Sequence, residues 1–167
     1  QQIEPIHRII SLMGIKLIMI SGVEADDVIG TLAEQARQKR LNTVISSGDK
    51  DMTQLVCDNV SVVNTMSGEL LDENGVMKKF GVGPELITDY LALIGDKSDN
   101  VPGVDKVGPK TAVKWLNEYK NIEGIKKNAE SIGGKVGENL RSSIETLDLA
   151  HELVKIKIDV PLEIGIE

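Results

Sequence analysis

The stretch KLIMISGVEADDVIGTLAEQARQKRLNTVISSGDKD, Lys16 to Asp51, decides how this chain is read. Lys16 to Ile20 is a short β-prone run that stops at Ser21-Gly22. Ala25 to Lys39 then spaces Val28, Leu32 and Ala36 along one side of a helix, and Asn42 to Ser46 is strand-like again, ending in Ser47-Gly48-Asp49. Strand, helix and strand with continuous rather than alternating apolar runs indicate parallel pairing, covered on both faces and joined by right-handed crossovers. The expected fold class is α/β.

In front of this unit, Ile3, Ile6, Ile9, Ile10 and Met13 mark the apolar face of an opening helix. The chain starts at Gln1, not methionine, and already inside that helical pattern, which is how a segment cut from a longer protein looks; tag removal or processing would also account for the missing methionine. Behind the unit, Met52, Leu55 and Val56 fit a short helix and Val60 to Asn64 a third strand. Beyond Met66 the expected pattern is helical throughout: Asp72 to Phe80, Pro84 to Ile94, Pro109 to Tyr119, Ile122 to Lys127, and one long closing helix from Gly137 to Lys155. Gly81 and Gly83 act as stops, and Pro84 and Pro109 sit at first helical turns. Ile132-Gly-Gly-Lys135 reads as a mobile loop, and no internal repeat or low-complexity linker is apparent. This gives an α/β core over residues 1–95 and a helical subdomain over residues 96–167.

Composition narrows the function. With 167 residues and 41% hydrophobic content, the chain can bury one core with a small appendage. Apolar runs are too short to span a bilayer, no membrane partner is expected, and a cytoplasmic address follows by default. Cys57 is the only cysteine, which excludes an internal disulfide and a cysteine-based zinc site. The net charge of −7 would discourage an acidic partner such as DNA, but it is unevenly spread. Residues 1–100 hold 9 basic and 15 acidic side chains, residues 101–142 hold 8 and 5, and residues 143–167 hold 2 and 6. A basic segment therefore lies between two acidic ones.

The first acidic segment concentrates its charge in Glu24/Asp26/Asp27, Asp49/Asp51 and Asp96/Asp99. The first two groups follow strands, where the loops of a parallel sheet converge, and the third follows a helix break after Ile94. Carboxylates with no nearby basic partner suit a pair of hard divalent cations, Mg²⁺ or Mn²⁺, working on a phosphodiester. Without cations the acids would repel and raise one another's pKa. The plainer reading gives each acid a local task, with Asp26, Asp27 and Asp51 serving helix starts and Asp99 a turn. His7 and His151 lie on helical patterns away from the clusters and read as surface or packing residues.

The basic segment opens with Val101 to Ala112, where Gly103 and Gly108 bracket a tight turn and Pro109 starts a helix. Free backbone N–H groups at such a start attract phosphate without reading sequence, and Lys106, Lys110, Thr111 and Lys114 add charge and hydrogen bonds. The plainer reading is a helix–turn–helix corner. Trp115 reads as packing for that corner, so no base-stacking platform is evident.

Three segments carry a resemblance: Gly22-Val-Glu-Ala-Asp-Asp-Val-Ile-Gly30, Ser47-Gly-Asp-Lys-Asp51 and Gly95-Asp-Lys-Ser-Asp-Asn-Val-Pro-Gly103. In this order and over essentially the whole chain, the sequence resembles the N-terminal 5′ nuclease domain of bacterial DNA polymerase I, within the flap endonuclease superfamily. The resemblance implies a PIN-like or Rossmann-like nuclease core with a helix–two-turn–helix subdomain. It implies metal ligation by Glu24, Asp26, Asp27, Asp49, Asp51, Asp96 and Asp99, with the first five catalytic through the metals. It implies a DNA clamp at Val101 to Ala112, a K⁺ ion on backbone carbonyls of the Val101 to Gly108 turn, and polymerase domains C-terminal to this chain.

The activity so implied is 5′→3′ exonuclease and flap endonuclease action on 5′ flaps, nicked or duplex DNA junctions and RNA primers, in replication and repair. The family's first strand with its aspartate, a second aspartate and a basic arch do not precede Gln1. The expectation is therefore a chain that keeps one metal site, lacks ligands for the metal nearest the scissile phosphate, and cuts poorly. An edge left by the absent strand would pack differently or self-associate. A stand-alone flap endonuclease and a non-catalytic structure-specific DNA-binding module are the alternatives. A phospho-acceptor signalling domain is a third, but it leaves the Gly103 to Lys110 turn without a role.

Overall fold

Helix α2 (Ala25–Gln38) forms where the sequence offers an extended residue, Glu24, then two acids in the first turn, Asp26 and Asp27, which favour the positive end of the helix dipole. A computed structural model describes residues 2–166 of the chain. After α2, strand β1 (Thr43–Ser46) runs parallel to β2 (Val60–Asn64), with Thr43 opposite Val60 and Ser46 opposite Val63. The connection contains a 3₁₀ turn over Asp51–Leu55, the short helix expected there.

Four expectations need correction. First, the segment after Met66 is not helical throughout. Strand β3 (Glu69–Leu71) pairs antiparallel with β2, with Val62 opposite Leu71, so the sheet is mixed, in the order β1-β2-β3. The hairpin is closed by Asn64, whose Oδ1 accepts the N–H groups of Met66 (3.0 Å) and Ser67 (3.2 Å). Second, β1 is not covered on both faces: Ile45 is buried while neighbouring Val44 is 63% exposed, the alternation of a sheet with one covered face. Third, Lys16 to Ile20 joins no sheet among the described residues, and Leu17 and Met19 are exposed. Among the described residues the outer edge of β1 stays unpaired and the run does not dock on it, so its backbone makes no ladder. Fourth, the long closing helix is two, α7 (Gly134–Ser142) and α8 (Ile144–Val154), broken at Ser143. Helix α7 begins within the Ile132-Gly-Gly-Lys135 stretch expected as a loop.

The remaining helices follow the sequence pattern. The opening helix is α1 (Ile3–Leu12), although none of its residues is buried and its apolar face, including Ile3, Ile6 and Ile9, lies open. Asp72 caps α3 (Glu73–Phe80) by accepting from Gly75 N–H at 2.7 Å, and Gly81 ends it in the left-handed conformation. A 3₁₀ turn at Pro84–Leu86 leads into α4 (Ile87–Ile94), which is followed by α5 (Pro109–Tyr119) and α6 (Ile122–Lys127). One continuous core joins the sheet to the helices, from Ile45, Met52 and Val62 through Leu91 and Leu93 to Trp115, Leu140 and Leu147. Trp115 is buried in it, as a packing residue should be.

The turn between α4 and α5 brings two chain segments into backbone contact. Asp96 and Val101 exchange both N–H···O=C bonds, at 3.0 and 2.7 Å, and Val104 N–H reaches Leu93 O at 2.9 Å. Gly95 lies at φ 71°, and a Cβ there would stand 2.4 Å from the nitrogen of Gly103. This approach requires glycine at position 95.

Candidate functional site

Six of the seven singled-out acids line one cavity of about 280 Å³: Glu24, Asp26, Asp27, Asp49, Asp51 and Asp99, together with Val101 and residues Leu153 to Ile156. Glu24 and the first turn of α2 bring three of them. The loop after β1 brings two more, ordered locally by Ser47 Oγ, which accepts Asp49 N–H (3.0 Å), and by Asp49 Oδ1, which accepts Asp51 N–H (2.9 Å). Asp99 comes from the turn after α4. Among the described residues no three such side chains converge on one point, so the acids ring the cavity without forming a finished cage. Uncompensated like charge pushes in that direction.

Asp96 stands apart from the cavity lining. It is buried, its carboxylate forms an ion pair with the ammonium of Lys50, and it accepts Ser98 N–H at 2.7 Å. The expectation of acids with no basic partner is thus corrected: Lys50 lies between Asp49 and Asp51 in the sequence and reaches across to Asp96. The pairing with Lys50, assisted by Ser98, holds the Asp96 carboxyl well below the usual range.

Burial raises Asp51 to about 6, and the Asp49 charge adds to the effect while Lys50 opposes it. Asp26 is raised too, by burial first and then by Asp49, Glu24, Asp27 and Asp99. Asp51 Oδ1 is buried with no hydrogen-bond partner. A buried oxygen without a donor, in a carboxylate that resists ionising, fits a hard cation as its missing partner. The donor set is all oxygen, the set that Mg²⁺ and Mn²⁺ prefer.

Several residues of the site escaped sequence reasoning. Gln54 links the 3₁₀ turn to the chain leaving α8, since its Nε2 donates to Val154 O (3.0 Å) and its Oε1 accepts Ile156 N–H (3.0 Å). The same segment continues along α2: Asp27 Oδ1 accepts Lys157 N–H (2.9 Å), Thr31 Oγ1 accepts Val160 N–H (3.0 Å) and Gln35 Oε1 accepts Ile166 N–H (3.3 Å). A polar residue at every fourth position of α2 was the one available signal for this strap. Gly30 completes the fit, because a Cβ there would stand 2.5 Å from Ile156 Cγ2.

At the expected clamp, Gly108 precedes α5 in an extended conformation, Pro109 takes the first position, and Gly108 O accepts the N–H groups of Thr111 and Ala112, both at 3.0 Å. Lys106, Lys110 and Lys114 are exposed, while Gly103 and Thr111 are half-buried. Helix α7 braces the turn through Asn139 Nδ2, which donates to Asp105 O at 2.8 Å. His151 Nε2 lies 2.9 Å from Asp89 Oδ1, and Asp89 Oδ2 accepts Ile122 N–H at 2.9 Å, which places this histidine in helix packing.

Comparison with known proteins bears on family and fold. Residues 1–81 match a family model described as 5′-3′ exonuclease, N-terminal resolvase-like domain, and residues 82–167 match 5′-3′ exonuclease, C-terminal SAM fold. The 5′-3′ exonuclease of Aquifex aeolicus is 48% identical over 99% of this chain, and DNA polymerase I of Pseudomonas aeruginosa is 44% identical, also over 99%. The chain spans 56% of the first relative and 19% of the second. Among solved structures, the bacteriophage T5 5′-exonuclease with bound divalent zinc aligns over 91% of this chain and 58% of its own, with TM-score 0.81 and 25% identity. T5 D15 protein co-crystallised with metal ions aligns over 86% and 55%, with TM-score 0.79 and 26% identity. An α/β core that flows into a helical second half is thus matched in sequence and in fold along the described chain, and the chain belongs to the 5′-3′ exonuclease family.

Proposed function

We propose that this chain supplies the carboxylate site and DNA clamp of a metal-dependent 5′ nuclease, which hydrolyses phosphodiester bonds in 5′ flaps, at nicked or duplex junctions and in RNA primers. The observation that carries the reading is the orphaned Asp51 Oδ1 in a cavity lined by six acids. Glu24, Asp26, Asp27, Asp49, Asp51 and Asp99 would hold divalent metal, Mg²⁺ or Mn²⁺, with Asp96 joining from its pairing with Lys50. Such ions, when bound, supply charge neutralisation and activation of water. The side chains of the chain itself set where that charge sits. Residues Leu153 to Ile156 wall the cavity on the side where the chain leaves α8. The turn from Val101 to Gly108, with Gly103, Lys106, Gly108, Lys110, Thr111 and Lys114, would hold the phosphates of duplex DNA, with K⁺ as its ion.

The T5 relatives described above were crystallised with metal ions, which supports the metal reading. Membership in an exonuclease family supports DNA as partner. We extend the proposal to a functional boundary near residue 95, to a cytoplasmic setting and to polymerase domains that follow in the whole protein. No helix among the described residues is long and apolar enough to cross a membrane. The similarity to a 5′-3′ exonuclease of which the chain spans 56% keeps a stand-alone nuclease as a second reading.

The test is single-turnover cleavage of a 5′-flap duplex in Mn²⁺, with an Asp49→Asn/Asp51→Asn variant beside the unaltered chain. Cleavage at the flap base that vanishes in the variant supports the proposal. Flap binding with neither cleavage nor Mn²⁺ binding favours a non-catalytic binding module, and failure to bind either Mn²⁺ or flap DNA overturns both.

A further inference from the structure

Four hydrogen bonds converge on one side-chain amide that is not among the acids. Gln54 Nε2 donates to the carbonyl oxygens of Asp51 (3.0 Å) and Val154 (3.0 Å), and Gln54 Oε1 accepts from Ile156 N–H (3.0 Å) and Thr88 Oγ1 (3.2 Å). A primary amide has two donor hydrogens and two acceptor sites, so its capacity is full. Three pieces of chain meet at this group: the turn that starts with Asp51, helix α4 through Thr88, and the segment that leaves α8. Asp51, Val154 and Ile156 all line the acidic cavity.

This arrangement bears on metal binding because a carboxylate holds a cation well only if its own orientation is fixed by groups behind it. Asp51 Oδ1 is buried with no hydrogen-bond partner, so no hydrogen bond holds that oxygen in place. What fixes it from behind is its place in the 3₁₀ turn, and Gln54 binds the carbonyl of Asp51 itself while gripping the opposite wall on both sides of Lys155. No other side-chain type of this size does the same work. Glutamate lacks the two donors and methionine lacks all four bonds.

We propose that Gln54 is a positioning residue of the carboxylate site: its amide fixes the Asp51 turn against the wall at residues 154–156, and so presets the Asp51 carboxylate for a divalent cation. This rests on the metal reading above and names the residue that prepares the site without touching the ion.

The test uses the chain as it is, free of DNA, with two readouts. Amide hydrogen exchange at Ile156 reports the tie, and Mn²⁺ affinity by electron paramagnetic resonance reports the consequence. In Gln54→Met, Ile156 exchange accelerates and Mn²⁺ binds about tenfold more weakly, the size usual for loss of an outer-sphere partner. Ile125→Val, a core change in α6 far along the chain from the site, lowers stability but leaves Mn²⁺ affinity unchanged. Thr88→Val removes one of the four bonds and weakens Mn²⁺ binding about twofold to threefold.

Wild-type Mn²⁺ affinity in Gln54→Met overturns the proposal even if Ile156 exchanges faster, because the amide is then only a structural tie. Equal losses in Gln54→Met and Ile125→Val overturn it as well. Should Gln54→Met fail to fold, Thr88→Val decides: unchanged Mn²⁺ affinity there overturns the proposal. An unaltered chain that binds no Mn²⁺ is a different result, which defeats the metal reading itself.

Discussion

The backbone N–H of Lys157 donates to Oδ1 of Asp27 at 2.9 Å, across 130 positions of sequence. Asp27 therefore belongs both to the rim of the acidic cavity and to the packing of the strap on α2. The two duties separate by mutation. Asp27→Asn keeps an oxygen acceptor, whereas Asp27→Ala removes it. The alanine variant is expected to lose about 1–2 kcal/mol of stability and the asparagine variant about half of that. Urea denaturation checks the difference, and both variants bind Mn²⁺ more weakly. Equal stability of the two would show that the strap does not depend on this bond.

A second prediction concerns pH. The folded-state value of Asp51, about 6, lies above its ordinary 3.8, so the folded chain holds that proton more tightly than the unfolded one. Stability of the metal-free chain consequently falls as pH rises from 3.8 to about 6 through this group, and stays lowered above. After allowance for its partial exposure the loss is roughly 1 kcal/mol. Asp51→Asn should remove this slope and make the metal-free chain more stable at pH 7, while weakening its affinity for Mn²⁺. Protons compete for the same oxygen, so Mn²⁺ affinity of the unaltered chain rises with pH through this window. Thermal melts in chelator and Mn²⁺ titrations at matched pH values test both halves.

Much of this was legible in the sequence, and what was not shares a cause. Helices α2 and α5, strands β1 and β2 and the acidic loops announce themselves by spacing and turn residues, because local chemistry decides them. Strand β3 has three residues and gains its identity from pairing with β2, whereas the Lys16 to Ile20 run makes no such pairing. Lys50 meets Asp96 46 positions away and Gln54 meets Ile156 102 positions away. Neither partner can be inferred from what surrounds the residue in the chain. The acids could be listed from sequence, but their division into a cavity group and a Lys50-bound Asp96 required the fold.

That division supports a third prediction. Asp96 is 7% exposed and Lys50 is its cationic partner, so Lys50→Met leaves a buried carboxylate uncompensated. The metal-free variant should lose about 1–3 kcal/mol, since unpairing a buried charge costs its desolvation. If Asp96 also serves a metal, saturating Mg²⁺ replaces the missing positive charge and recovers a good part of that loss. Melts with chelator and with Mg²⁺ give the comparison. A deficit that Mg²⁺ leaves untouched would assign Asp96 to the Lys50 pairing alone.

The last prediction separates a glycine needed by the fold from one left free for a ligand. A Cβ at Gly95 would collide with Gly103, whereas a Cβ at Gly108 meets nothing within 4 Å, and Gly108 has an ordinary φ of −110°. Gly95→Ala should therefore unfold or strongly destabilise the chain, while Gly108→Ala changes stability by less than about 0.5 kcal/mol. If phosphate approaches the start of α5, the added methyl group occupies its path, and Gly108→Ala weakens duplex binding without altering the melt. Lys110→Glu weakens it further and lowers the slope of log affinity against log salt by roughly 0.9 for each phosphate that is no longer neutralised. Fluorescence anisotropy with a nicked duplex at several salt concentrations reads both effects. Undiminished binding by Lys110→Glu would remove the clamp from the Val101 to Ala112 turn, and the duplex would then have to be held by other basic residues of the 101–142 segment.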